Sequence, residues 1–207
     1  MKFFSRQMSF DSTKFFMHIK NMNNQFFFGY GSLVNTSSHD FHDISNARLI
    51  GWRRIWQRTN LRDFSFLSVH RSDNCSIDGV IAIVPDGNWT KLDKREAGYD
   101  RIVGSEMIEH TSSKPDSISF YRIPDHKLAS VEKCPILLSY LDVVLMGFLK
   151  RFGKQGVSNF FETTDGWDCG VFDDRSNPRY PRAQEYENDF YSSVDNALVT
   201  KKIELFT

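Results

Sequence analysis

No stretch of this 207-residue chain approaches the roughly 18 consecutive apolar residues that cross a bilayer, so the sequence excludes a membrane-spanning helix. Net charge is also missing, because 26 basic residues are balanced by 26 acidic ones. Without an overall positive field the chain does not read as a dedicated nucleic-acid binder. Cysteine is scarce: Cys75, Cys134 and Cys169 are odd in number and unpatterned in spacing, which fits a reducing cytosol better than a disulfide framework or a zinc site. Internal repeats and low-complexity tracts are absent too, which argues against a solenoid or a linker-rich protein. What is present is 40% hydrophobic and 25% charged sequence, the composition of one compact soluble domain.

The first 24 residues read as an extension. Phe-Phe pairs sit among scattered Lys, Arg and Met with no sustained period, and the apolar core and cleavage site of a secretory signal are missing. A poorly ordered or loosely packed segment is expected there, and Met22 offers an internal start just before the first strand. Residues 25–207 then form the working domain.

Strand signals dominate the first half. Phe26-Phe27-Phe28 ends abruptly at Gly29-Tyr30-Gly31-Ser32, as a buried strand feeding a backbone loop does. Arg48 to Thr59, Phe64 to His70 and Gly79 to Val84 read as three more strands, with turns at Arg62-Asp63 and Ser72-Asp73-Asn74. Asn88 or Thr90 can cap a short helix through Leu92 and Glu96 that Gly98 ends, and Tyr99 to His110 and Ile118 to Ile123 look like two further strands. The clearest helix is expected from Pro135, with Leu141, Val144, Leu145, Phe148 and Phe152 at helical spacing up to Gly153. A shorter helix over 154–163 and an Asp/Arg/Pro-dense loop over 165–182 follow, before a tail that starts helical and ends extended. Strands first and helices later predict an α+β domain or a small barrel with helices outside.

Two segments can carry chemistry. In Gly29-Tyr30-Gly31-Ser32-Leu33 the glycines let backbone approach a ligand, and exposed N–H groups can receive a carboxylate or phosphate. Taken alone, the structural alternative of a tight turn is favoured, and no further glycine completes a dinucleotide fingerprint. In Leu92-Asp93-Lys94-Arg95-Glu96-Ala97-Gly98-Tyr99, Glu96 lies one turn from Leu92 on the core-facing side. A partly buried carboxylate there has a raised pKa suited to proton transfer near neutrality. His39-Asp40-Phe41-His42-Asp43 lacks a second ligand cluster and reads as a solvated loop rather than a metal site. The arginines from Arg48 to Arg62, interleaved with Trp52 and Trp56, read as a barrel strand with tryptophans inward and arginines in solvent rather than as a stacking nucleic-acid face.

A Tyr-Gly-Ser-Leu turn at Tyr30 to Leu33, paired with Leu-Asp-x-Arg-Glu-x-Gly-Tyr at Leu92 to Tyr99, resembles the γ-glutamylcyclotransferase superfamily. The spacing of Pro135, Tyr140 and Gly147 is similar as well, and the likeness runs from about Phe26 to Phe161. The tail through Thr164 to Asp168, Asp173 to Arg175 and Pro178 to Arg182 looks like a bacterial-type subgroup. The resemblance implies a small mixed β-barrel with surrounding helices and a cavity for a γ-glutamyl group. It implies that Tyr30, Gly31, Ser32 and Leu33 grip the glutamyl moiety, that Glu96 is the catalytic acid/base, and that Tyr140 orients the substrate. The implied reaction is cyclisation of a γ-glutamyl amino acid, peptide such as glutathione, or amine to 5-oxoproline, in the cytoplasm, with neither cofactor nor metal. A noncatalytic γ-glutamyl-ligand or protein-interaction module on the same fold is the competing expectation.

Overall fold

Phe26, Phe27 and Phe28 lie in strand β1, Gln25–Gly29, and all three side chains are buried. Alternation sends Phe26 and Phe28 into one core cluster and Phe27 into another. A strand covered on both faces needs an unbroken apolar run, and β1 sits in mid-sheet for that reason. The computed structural model describes residues 24–129 and 134–207. The expected N-terminal extension and internal start lie outside them, apart from Asn24.

The other strands are β2 Ser45–Gln57, β3 Phe66–Ile83, β4 Asp100–Val103, β5 Ile108–His110, β6 Ser117–Arg122, β7 Ile136–Leu137, β8 Thr164–Asp165, β9 Val171–Phe172 and β10 Leu205–Phe206. The main sheet runs β4-β6-β1-β3-β2-β5, with β8 also pairing β2. Strand β1 is antiparallel to β3 and parallel to β6, so the sheet is mixed, and it curls into a half-barrel. A small parallel sheet, β10-β9-β7, lies apart from it.

Among the described residues three α-helices pack around the sheets: α1 Trp89–Arg95, α2 Leu138–Glu162 and α3 Asn188–Thr200. Helix α1 is capped by the Asn88 side chain, which accepts from the Thr90 N–H, and its Leu92 covers the Phe27 face. Helix α2 buries Leu141, Val144, Leu145 and Phe148 against the Phe26/Phe28 face. It breaks at Gly153, whose φ of 67° and ψ of −167° suit glycine alone, and resumes toward Phe160 and Phe161. The architecture is the expected α+β one.

Four local expectations give way. Ser72-Asp73-Asn74 is not a turn between strands: 66–83 is one strand, and opposite Gly51 the register jumps from Ser76 to Arg71, so these residues form a bulge that bends the sheet. Tyr99 to His110 is two strands, because β4 pairs β6 while β5 crosses to β2. Helix α2 starts at Leu138 rather than Pro135, because the Ile136 N–H goes to the Gly170 carbonyl at 3.0 Å and Ile136–Leu137 joins β9. Arg54 is not in solvent: it shares the inward parity of Trp52 and Trp56 and is only 1% exposed. Its Nε donates to the Tyr30 carbonyl at 2.9 Å and Nη1 to the Thr163 hydroxyl at 2.8 Å, while Nη2 donates to the Asp78 carbonyl.

Candidate active site

The chain leaving β1 is fastened on three sides. The Tyr30 hydroxyl donates to the Tyr121 carbonyl at 2.8 Å, and its own carbonyl is held by Arg54. A single 3-10 turn over Ser32–Val34 follows, with the Val34 N–H on the Gly31 carbonyl. Asn35, almost fully buried, donates to the Val143 carbonyl of α2 at 3.0 Å and to the Tyr186 hydroxyl at 3.1 Å. Glycine at position 31 leaves room for Tyr140, since a Cβ there would lie 2.8 Å from the Tyr140 hydroxyl.

Tyr140 rises from the first turn of α2 and crosses edge-to-face with Trp56 at 5.9 Å and Tyr180 at 4.9 Å between ring centroids. Its hydroxyl also interacts with both the backbone and the side chain of Ser32. Glu96 caps the C-terminus of α1, with its N–H on the Leu92 carbonyl, as the amphipathic spacing predicts. Its side chain is 20% exposed and meets Arg95 Nε at 3.0 Å. Burial raises the Glu96 pKa, and the Arg95 and Arg182 charges partly offset it. Burial, followed by neighbouring groups that include Glu96, also raises the pKa of Tyr30, Tyr99 and Tyr140, so these three phenols stay protonated near neutrality.

Ser32, Glu96 and Tyr140 line one cavity of about 500 Å³. Tyr99 and Tyr180 line it too, and Tyr99 is a residue that the motif reading gave no role. Tyr99 directly follows the Glu96-Ala97-Gly98 segment, which was the available clue; its hydroxyl donates to the Leu67 carbonyl at 2.9 Å. Tyr30 lies buried behind the loop with its hydroxyl already engaged, and the Leu33 side chain packs with the Phe27 cluster on the other face. Tyr30 and Leu33 therefore shape the loop, while Ser32 presents its side chain to the cavity.

The loop over 173–182 both clamps and covers. Asp174 accepts from the Ser139 N–H and hydroxyl at 2.8 and 2.6 Å and from the Arg179 N–H at 2.8 Å. Arg179, Tyr180, Pro181 and Arg182 then pass over the cavity. A shallower groove of about 460 Å³ beside Arg48, Asp78 and His110 holds none of the expected residues. His39 is structural: Nε2 meets the Leu33 carbonyl at 2.9 Å and Nδ1 accepts from the Phe41 N–H. Among the described residues no group of three or more His, Cys, Asp or Glu side chains is placed to hold a metal, and no helix is long and apolar enough to cross a membrane.

No protein-family model and no curated protein matches this chain. Solved structures do. One described as a γ-glutamyl cyclotransferase is 14% identical with a TM-score of 0.50, over 83% of this chain and 98% of that one. The human protein loc79017, described as uncharacterized, is 14% identical with a TM-score of 0.51, over 84% and 99%. YkqA from Bacillus subtilis is 18% identical with a TM-score of 0.54, over 74% of this chain and 60% of its own length. At such identities the likeness is one of fold, and the fold is that of γ-glutamylcyclotransferase-like proteins.

Proposed function

We propose that this protein is a cytosolic γ-glutamylcyclotransferase that converts the γ-glutamyl group of an amino acid, peptide or amine into 5-oxoproline. The observation that carries the reading is the meeting of Glu96, Ser32 and Tyr140 on one cavity: a largely buried carboxylate shares it with a serine and a phenol. The likeness of the 164–182 tail to a bacterial-type subgroup belongs to the same reading, as does the assignment of residues 25–207 as the working domain.

The chemistry needs neither cofactor nor metal. The substrate's own α-amine attacks its γ-carbonyl, a C–N bond forms to close the five-membered lactam, and the bond to the departing amine breaks. Glu96 as carboxylate takes a proton from the α-ammonium and returns it to the departing nitrogen, and the second proton that the α-nitrogen sheds on becoming the lactam N–H goes to the released amine, which departs as an ammonium, so atoms and charge balance. The loop N–H groups and the protonated Tyr140 hydroxyl orient the glutamyl end and stabilise the developing oxyanion. Amine and carbonyl already share one molecule, so the cavity adds by holding the glutamyl chain in the folded conformer in which the two meet.

The test is a panel of γ-glutamyl compounds assayed for 5-oxoproline, with Glu96→Gln beside the unsubstituted protein. Release of lactam that drops by about 10²- to 10⁴-fold in the variant, with ligand binding kept, is the expected result. Full activity in Glu96→Gln would refute the assignment. Binding without lactam in the unsubstituted protein would transfer the reading to a noncatalytic ligand module.

A further inference from the structure

We infer that the mouth of the cavity is an anion subsite, formed by Arg62, Lys94 and Arg182, that selects γ-glutamyl compounds whose departing amine carries a carboxylate. Amino acids and peptides fit that description, and plain alkylamines do not. The inference rests on the cyclisation reading and extends it to the half of the substrate which that reading leaves open.

Burial sorts the cavity into floor and rim. Ser32, Leu67, Tyr99 and Tyr140 are buried or half-buried, whereas Arg62, Lys94 and Arg182 are exposed. Five cationic side chains line the cavity, Arg62, Lys94, Arg95, Arg179 and Arg182, against a single carboxylate, that of Glu96. Two of the five are committed: Arg95 to Glu96 at 3.0 Å, and Arg179 to both oxygens of Asp63 at 2.7 and 2.9 Å. The other three form no ion pair with another described residue.

Acid is not scarce in this chain, which carries as many Asp and Glu as Lys and Arg. A local excess of positive charge at one mouth is therefore a feature of this place and not of composition. Gathered like charges repel one another, and an anionic guest relieves that repulsion. Arg182 itself lines the cavity, and its charge acts on Glu96 within and on His39 beside the loop. Glu96 must reach the α-amine and the loop holds the glutamyl end, so the departing group has to extend outward across the rim. A carboxylate there meets guanidinium groups able to bind it through paired hydrogen bonds.

γ-Glutamylalanine and γ-glutamylethylamide differ by that one carboxylate. Binding is measured by calorimetry on Glu96→Gln, and 5-oxoproline release on the unsubstituted protein. The alanine compound is expected to bind at least about tenfold more tightly at low salt. Added salt is expected to shrink the ratio, and the further pair Arg62→Gln and Arg182→Gln, both at exposed positions, to bring it close to one. Equal binding of the two compounds overturns the subsite, as does a preference that survives the pair of substitutions. No lactam from either compound, with the preference intact, overturns the cyclisation reading and leaves the subsite standing. If neither compound binds, both inferences fall.

Discussion

Glu96 and Arg54 both hold charge where burial opposes it, Glu96 on the cavity wall and Arg54 on the Tyr30 carbonyl at the start of the loop. Glu96 has its pKa raised mainly by burial, so in the folded state it holds its proton more tightly than in the unfolded chain. Between the unfolded and folded pKa values the native state binds more protons, and stability falls as pH rises through that window. Glu96→Gln removes this penalty. The variant is therefore expected to melt at a higher temperature than the parent at neutral pH, with the gap closing as pH falls below the unfolded carboxylate pKa; scanning calorimetry at several pH values reads it. Turnover, which needs the carboxylate form, should decline on the acidic side through the same raised pKa. Arg54 meets its burial differently, by giving its donors to the Tyr30 and Asp78 carbonyls and the Thr163 hydroxyl while its guanidinium lies 4.8 and 4.9 Å from the Phe148 and Phe160 ring centroids. Arg54→Met keeps apolar volume but leaves those acceptors without a donor, a loss on the order of 3 kcal/mol by urea titration. Because Tyr30 leads into the loop, KM should rise in whatever folded fraction survives.

At the scale of elements, the site depends on how closely α2 approaches the turn after β1. A Cβ at Gly147 would lie 2.6 Å from the Asn35 nitrogen and 2.8 Å from its Cα, so helix and loop touch backbone to backbone. Gly147→Ala must push them apart. The expected cost is about 1–3 kcal/mol in chemical denaturation, with weaker ligand binding because Ser32 lies three residues before Asn35. This part of the fold was legible in the sequence: an unbroken apolar run announced a strand buried on both faces, and helical spacing carried α2 to its break at Gly153. Segments whose state depends on distant pairing were not legible. Ser72 to Cys75 has turn composition yet bulges within one strand because β2 continues alongside it, and Ile136–Leu137 leaves the helix because β9, more than thirty residues later, supplies a pairing edge. Arg54 was legible by parity with Trp52 and Trp56, and charge alone misplaced it.

At the scale of the whole molecule, the last third of the chain returns to enclose a cavity begun by the first. Glu96, Ser32 and Tyr140 come from three separate segments, so motif likeness could name them, but Tyr180 and Arg182 reach the cavity only through the fold of the 173–182 strap. One arginine fastens that strap to two helices. Arg175 donates through Nε and Nη2 to Asp142 of α2 at 2.7 and 2.9 Å and through Nη1 to Asp195 of α3 at 2.7 Å, and it lies over the Tyr191 ring. The Asp142 side chain is only 3% exposed; burial raises its pKa and Arg175 pulls it back. Arg175→Met strands that carboxylate, and breaking a buried pair in this way costs about 3–5 kcal/mol. Without the guanidinium the folded pKa of Asp142 rises further, so the penalty is full above that value and fades as pH falls and the carboxyl takes up a proton. The stability gap between parent and variant is therefore expected to narrow from pH 7 toward pH 4. The Asp142→Asn, Arg175→Met pair should recover much of the loss at neutral pH. If Arg175 serves only as surface charge, the single variant will melt with the parent at every pH; if it is the clasp, the variant will also lose affinity for γ-glutamyl ligands, because the strap carrying Tyr180 and Arg182 no longer rests on the cavity.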